Sequence, residues 1–579
     1  MAEKYDRWAL AFMCGLFALH AAWLFDPAYL PVDDAYITFR YSRNILDGWG
    51  MAYNSGGVPV DGVNNYLWVL FGIPFEALGW DTPLIALLAG WASSLLSAWL
   101  VVQMLPREMG RTRWLAGFLL VLWAQPAVWS LGGLETATYG LFILLVARLY
   151  ANPPATTRSL AVSALLLAAL PLLRPEGILI SIACAAWLGV RAWRQRQLVM
   201  ATPAIFFLLS YGAFVVWRFY YFSFPYPNTY YVKMATLPTA DRWGEGVRYL
   251  IRFFNETGAW VFIPFWLIAL SRRTSGQALT LAIGLGSVMH MGGDWMPHFR
   301  FCAPLIPLMV LPAFQGSWRL VEAYGRAGRL AMALSCLLVV IWSAPASLNF
   351  KARPITWLGW HRPTAHWLAR NAPPGTRVFL HDVGALPYYA SSLVVLDGGR
   401  LTDVYLAHKQ DLNAADYLLA QQPELVIASL VHPPGPDDPR LTNYVPLAEH
   451  SLVLKLPSDL AAWFPESQGT QLLFIRRDLI GPDGQPLWNS RPQRRPTAVE
   501  VSQASAKYDQ AMAAWRAEDL DSAIRLLEES RELWPASAWT YHRLEQIKLQ
   551  QTCRARSSDV KTYHHLCNTW RLPGDPLCQ

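Results

Sequence analysis

The chain reads as a polytopic α-helical membrane protein with a water-facing C-terminal α/β domain and a helical tail. Hydrophobic residues make up 54% of its 579 residues and charged residues only 15%, and apolar runs recur through about residue 345. Beyond residue 350 the charged residues are spread along the chain and no run is long enough to span a bilayer. About eleven runs approach span length, near 8–25, 82–105, 113–130, 134–150, 159–173, 175–190, 199–219, 257–270, 276–291, 301–318 and 328–345. Several fall short of the ~20 residues a straight span uses and are expected to be broken or buried. The first run has no small-residue cleavage site after it and reads as a retained signal anchor.

Arginine placement predicts orientation. Alternate loops carry Lys4 and Arg7; Arg107, Arg111 and Arg113; Arg148 and Arg158; Arg191, Arg194 and Arg196; Arg272 and Arg273; Arg319, Arg326 and Arg329. The positive-inside rule makes these loops cytoplasmic, with the N-terminus, and places 26–63, 220–256 and the C-terminal half on the outer, periplasmic side. Tyr66 to Leu78 is also apolar. It is expected to be re-entrant or interfacial, because a span there would move Arg107, Arg111 and Arg113 outside.

That topology gathers the unusual polar residues on one face: Asp33, Asp34, Glu135, Arg174, Glu176, Asn228, Lys233, Asp294, His298 and Arg300. Ionisable residues at membrane ends usually have a function or a partner, and acids mixed with bases suggest a cleft for an anionic polar ligand. Each has a plainer reading as well: Glu135 as a cap of the helix from Thr136 to Tyr150, Arg174 with Glu176 as a local ion pair. The adjacent carboxylates Asp33 and Asp34 repel each other at the mouth of a membrane helix, which marks them as candidates for catalysis or cation binding, with a solvated loop start as the plainer reading.

Tyr36, Phe39, Ile45 and Leu46 alternate with Arg40, Arg43 and Asp47 as in an amphipathic helix, ended by Gly48 and Gly50 and expected along the bilayer surface. Asp61 to Asn65, Asn64 included, offers small polar groups suited to sugar hydroxyls. The aromatics of Phe224 to Lys233 read either as an interfacial belt or as a platform for a sugar or prenyl chain.

Several strings together resemble a known family: Asp33-Asp34-Ala35-Tyr36-Ile37-Thr38-Phe39-Arg40, Gly133-Leu134-Glu135-Thr136, Leu173-Arg174-Pro175-Glu176-Gly177, Pro227-Asn228-Thr229-Tyr230-Tyr231-Val232-Lys233, Gly292-Gly293-Asp294-Trp295-Met296-Pro297-His298-Phe299-Arg300 and His381-Asp382-Val383-Gly384. In this order they are similar to the bacterial GT-C membrane glycosyltransferases, most of all the terminal β-1,2-arabinofuranosyltransferases of mycobacterial cell-wall arabinan and their Gram-negative relatives. The likeness runs over about residues 5 to 410 and leaves out the tail. It implies a GT-C-like membrane domain in the bacterial inner membrane and a polyprenyl-phosphate sugar donor. It also implies an acidic pair, here Asp33 and Asp34, that supplies the general base or positions the acceptor.

The residues suit that chemistry. An attacking hydroxyl must lose its proton to a carboxylate, and a departing phosphate needs cations, here Arg174, Lys233, His298 and Arg300. Arg300 and Arg174 are favoured because a guanidinium holds two phosphate oxygens. Tyr36, Arg40, Asn64, Glu135, Glu176, Asn228, Asp294, His381 and Asp382 complete the expected substrate contacts. Displacement at one face inverts the anomeric centre, whereas retention needs a second carboxylate at a set distance. Asp33, Asp34 and Asp294 offer oxygen donors to Mg, Mn or Ca, without the spacing of any known metal loop. No glycine loop cradles a nucleotide, and no nucleic-acid partner is expected. The resemblance implies an envelope glycan or glycoprotein as acceptor, and membrane lipid is expected around the first half. GT-C transfer of mannose or another sugar, a lipid-linked sugar flippase, and a scaffold acting through the periplasmic domain stand as alternatives. A flippase predicts charges deep in the spans, where few occur.

The expected domains are a membrane domain over 1–349, an α/β domain over 350–481, a Pro- and Gly-rich linker over 482–499 and a tail over 500–579. Short apolar runs at 377–380, 393–396, 425–428 and 472–475, with a helical pattern from Ala414 to Gln421, predict the α/β domain. His381 and Asp382 end its first strand, where such sheets often bind ligands; capping a loop is the alternative. Ala511, Ala514, Leu520, Ala523, Leu527, Ser530 and Pro535 sit close to one tetratricopeptide (TPR) repeat. Cys14, Cys184, Cys302 and Cys336 read as core residues, and Cys553, Cys567 and Cys578 leave room for one disulfide.

Overall fold

The computed structural model describes residues 2–533 other than 28–29, 58, 223, 237, 272–273, 353–357, 410–411, 430–433, 435–436, 448–470, 481–485, 488–497 and 518, together with residue 547. Arg272, Arg273, most of the predicted linker, the second half of the tail and Cys553, Cys567 and Cys578 lie outside the described residues.

Helices stand at every predicted apolar run. In chain order they begin with α1 (Ala2–Leu24), α2 (Asp33–Leu46), α3 (Tyr66–Ala77), α4 (Thr82–Met104), α5 (Trp114–Leu122), α6 (Ala124–Ser130), α7 (Thr136–Ala151), α8 (Thr157–Leu173) and α9 (Gly177–Gln195). There follow α10 (Thr202–Phe222), α11 (Asn228–Thr236), α12 (Thr239–Thr257), α13 (Ile263–Ala269), α14 (Ser275–His290), α15 (Ile306–Tyr324), α16 (Arg326–Ala352) and α17 (Leu358–Asn371). Among the described residues five helical segments are long and apolar enough to cross a membrane: Tyr5–Leu24, Thr82–Met104, Gly177–Gln195, Leu198–Phe222 and Arg326–Phe350. The other runs are shorter or broken. The run near 113–130 is split because Trp123 turns extended between α5 and α6, with Pro126 in the first turn that follows.

The chain divides into two compact units. The first comprises Met1–Arg43, Val63–Trp217 and Thr229–His361; the second comprises Asn44–Gly62, Arg218–Asn228 and Arg362–Gln579. In the first, α4 packs on α7 and α5, and α15 on α13 and α16, around the buried indoles of Trp114, Trp123 and Trp129. Here α2 departs from the expected surface helix. Ala35 to Ser42 are all buried, and its polar side meets protein instead of water. Ser42 donates to the Val69 carbonyl at 2.7 Å, and Thr38 bonds with the Asn65 amide. Amphipathic spacing tells that a helix has a polar face without telling what covers it.

The second unit holds the α/β fold: β1 (Arg377–Leu380), α18 (Ala385–Tyr389), β2 (Val394–Asp397), α19 (Val404–His408), α20 (Ala414–Leu419), β3 (Leu425–Ser429), β4 (Tyr444–Pro446) and β5 (Gln471–Arg476). The sheet order is β2-β1-β3-β5-β4, parallel among the first three and antiparallel at β5 and β4. Phe379, Val426 and Phe474 pack with Leu406 and Leu418 over one face. Two segments from the first half of the chain complete this unit. The Asn54 side chain pairs with the edge strand β2 in both directions, accepting from Val395 N at 2.8 Å and donating to Val395 O at 2.9 Å. This saturates backbone groups that an edge otherwise exposes. Tyr53 donates its hydroxyl to the Val383 carbonyl, and Arg218 forms a buried ion pair with Asp61 at 2.7 Å. Farther on, α21 (Ala498–Arg516) and α22 (Leu520–Leu533) form a hairpin with Ala511, Leu520, Ala523 and Leu527 in its seam. Cys184 and Cys302 are buried and Cys14 and Cys336 half-buried, all four as free thiols.

Candidate active site

Six pieces of the first unit bring together most of the predicted charges. α2 begins at Asp33, so both carboxylates occupy its first turn, where the helix dipole favours anions. They face different neighbours. The Asp33 side chain is 8% exposed, with Oδ1 3.2 Å from Nδ1 of the buried His361. The Asp34 side chain is 34% exposed, with Oδ2 3.5 Å from Nη1 of Arg300. Desolvation pushes the Asp34 carboxyl up to about 6; Arg300 opposes the shift, while the charges of Asp33 and Asp294 add to it.

The turn before α7 delivers Glu135. Gly133 makes that turn possible: its φ is +72°, and a Cβ there would stand 2.5 Å from Pro31. Glu135 holds the N-cap position of α7 without capping it by its side chain. Its carboxylate accepts from Arg174 Nη1 at 3.2 Å and from Asn65 Nδ2 at 2.8 Å. Arg174, at the C-terminus of α8, also donates from Nε to Glu176 at 2.5 Å. Arg300 is held in the same fashion, with Nε and Nη2 on the two oxygens of Asp294 at 2.7 and 3.1 Å. These carboxylates raise the Arg300 pKa against the desolvation that lowers it.

Lys233 stands apart from both arginines. Among the described residues it has no carboxylate within ion-pair distance; its ammonium lies 4.9 Å from the centroid of the Phe301 ring. Burial draws its pKa below the ordinary lysine value, with Asp294 opposing. Arg174 and Arg300 approach the same ring, their guanidinium carbons 4.7 and 5.3 Å from its centroid. Three cations therefore surround one aromatic side chain, two of them already balanced by acids.

Other predicted site residues fall elsewhere. Tyr36 and Arg40 are fully buried within α2. The Asp294 carboxylate is 1% exposed with both oxygens on Arg300, which makes it a partner of that arginine. Burial holds the His298 imidazole down to about 4. Asn64 is half-buried, and its neighbour Asn65 makes the bond to Glu135. Asn228 belongs to the second unit, its backbone N–H on Asp61 O at 2.8 Å and its Nδ2 on Leu401 O at 3.2 Å. His381 and Asp382 follow β1 in that unit, half-buried, the His381 ring edge-on to Phe379. Among the described residues no three His, Cys, Asp or Glu side chains are grouped to hold a metal ion; Asp34 and Asp294 share Arg300 instead. Phe301 and His361 belong to none of the residues singled out in the sequence, and Asn65 stands there only within the Asp61 to Asn65 stretch. Asn65 was one position from the residue chosen, Phe301 directly followed Arg300, and His361 lies in no motif.

The chain is a multi-pass membrane protein whose structural neighbours are GT-C glycosyltransferases. ArnT from Cupriavidus metallidurans, in its crystal structure bound to undecaprenyl phosphate, matches with a TM-score of 0.53 at 13% identity, over 82% of this chain and 98% of that one. At that identity the likeness shows a shared fold. The archaeal oligosaccharyltransferase AglB from Archaeoglobus fulgidus, in complex with an inhibitory peptide and a dolichol-phosphate, aligns at 12% identity and a TM-score of 0.45, over 74% of this chain and 70% of that one. A family model described as a domain of unknown function, DUF8728, matches residues 355–473, which hold all of α17 and strands β1 to β4 and end within β5. No curated protein matches.

Proposed function

We propose that this protein is a membrane glycosyltransferase that moves a sugar, arabinofuranose by the motif resemblance, from a polyprenyl-phosphate donor to an envelope glycan or glycoprotein at the periplasmic face. The observation that carries the reading is the pairing of a partly open carboxylate, Asp34, with three cations around Phe301. ArnT, which shares the fold, was crystallised with undecaprenyl phosphate, a ligand of the proposed donor class.

In this reading Asp34 is the base and Asp33 supports it. Asp34 is the more exposed of the two and lies beside Arg300, whereas Asp33 is enclosed against His361. The acceptor hydroxyl gives its proton to Asp34 as its oxygen attacks the anomeric carbon. The bond from that carbon to the phosphate oxygen breaks, and the electron pair leaves with the polyprenyl phosphate. The phosphate gains a negative charge, which Lys233 receives because no carboxylate among the described residues pairs it, assisted by the two N–H groups of Arg300 not engaged by Asp294 and Asp34. One displacement inverts the sugar. A bound divalent ion would share the phosphate charge with Lys233.

The test is transfer from synthetic polyprenyl-phospho-arabinofuranose, polyprenyl-phospho-mannose and a nucleotide sugar in membranes containing the protein. Product from the arabinofuranosyl lipid alone, with inverted anomeric configuration by NMR, is the expected result. Product from the mannosyl lipid moves the reading to another sugar, and product from the nucleotide donor alone contradicts it.

A further inference from the structure

α12 has two faces with different surroundings. Arg242, Gly246, Tyr249 and Phe253 form its buried face. Gly246 lies on the backbone of Met289, so close that a Cβ would stand 2.1 Å from its carbonyl oxygen. Arg242 donates from Nε to His290 O at 3.1 Å and from Nη1 to Met234 O at 3.3 Å, serving carbonyls at the C-terminal ends of α14 and α11. Gly292 and Gly293 pack against Arg242 and Tyr249, and Phe299 meets Tyr249 and Phe253 edge-on at centroid distances of 5.3 and 5.6 Å. The segment that carries Asp294 and Arg300 therefore rests on this face.

The opposite face exposes Trp243, Val247 and Ile251, spaced four residues apart and so in one row along the helix. Beside that row run the exposed ion pairs Glu245 with Arg248 and Arg252 with Glu256. The apolar surface continues into a candidate span. Trp342 of α16 donates its indole N–H to the Asn255 carbonyl in the last turn of α12 and lies edge-on to Trp260 at 6.0 Å. Trp260, Ile341 and Trp342 are themselves exposed. An apolar row bordered by paired charges and continuous with a span has the polarity profile of a helix at a membrane interface.

We propose that α12 is an interfacial helix, with Trp243, Val247 and Ile251 embedded among the acyl chains of the leaflet on the side of the site and Arg248 and Arg252 at headgroup level. The membrane then forms part of the support of the Asp294 and Arg300 segment. The experiment places a photoreactive benzoylphenylalanine singly at Trp243, Val247, Ile251, Glu245 or Arg252 in the full chain, reconstituted in vesicles of phosphatidylethanolamine and phosphatidylglycerol. After irradiation the α12 peptide is examined by mass spectrometry. Phospholipid adducts at the first three positions, at least tenfold above those at Glu245 and Arg252, are expected. Absence of adducts at the three, equal yields at all five, or crosslinks to a second copy of the chain would overturn the assignment. None of these readouts depends on transferase activity.

Discussion

Asp34 carries opposite demands of stability and chemistry. Its pKa in the fold is about 6 against an ordinary 3.8, so the neutral acid suits its surroundings better than the carboxylate. The stability contributed by the neutral form is full below about pH 4 and is lost as pH rises through about 6. Asp34→Asn is accordingly expected to melt higher than wild type at pH 7.5 and no higher at pH 4, which calorimetry checks. The catalytic form is the carboxylate, and transfer should fall on acidification with a midpoint near pH 6. Lys233→Met is expected to lower transfer roughly 10²- to 10³-fold by leaving the phosphate charge unmet, with Lys233→Arg recovering part of it. Arg300→Ala strands Asp294 and Asp34 together and should cost about 3–5 kcal/mol in denaturant unfolding.

Individual elements explain which parts of the site were legible in the sequence. Asp33, Asp34, Glu135, Arg174, Glu176, Lys233, Asp294 and Arg300 stood out because charge at the end of an apolar run is costly unless it is used. Their partners were less visible. Asn65 was hidden beside Asn64, since only the start of α3 decides which amide faces Glu135. His361 reaches Asp33 from far along the chain, through folding no local pattern encodes. The polar side of α2 suited water and protein equally, and only the fold shows it covered by Val69 and Asn65. His298 looked cationic by residue type, but its ionisation follows from burial. The tight seat of Gly246 makes α12 testable as an element. Gly246→Val should drive it off α14 and cost about 1–3 kcal/mol or more, read as a lower melting temperature.

Across the whole molecule the helical membrane half and the later α/β sheet followed from hydropathy and from strand-length apolar runs. The composite make-up of the second unit did not. Residues 44–62 and 218–228 look like loops between apolar runs, and their membership rests on single side chains such as Asn54 on β2 and Arg218 on Asp61. Asn54→Ala exposes the β2 edge and is expected to cost about 1–3 kcal/mol, with faster amide exchange confined to β2 and its neighbours. In the proposed reaction Asp34, and not Asp33, removes the acceptor proton. Initial rates of sugar transfer from the polyprenyl-phosphate donor, measured against pH for wild type, Asp33→Asn and Asp34→Asn, test it directly. The expected result is a wild-type rate that falls below about pH 6, an Asp33→Asn rate that keeps an acid limb, displaced to lower pH because the Asp33 charge helps raise the Asp34 carboxyl, and at least a 10²-fold loss without the limb in Asp34→Asn. An Asp34→Asn enzyme that retains both rate and limb, while Asp33→Asn loses them, would contradict it.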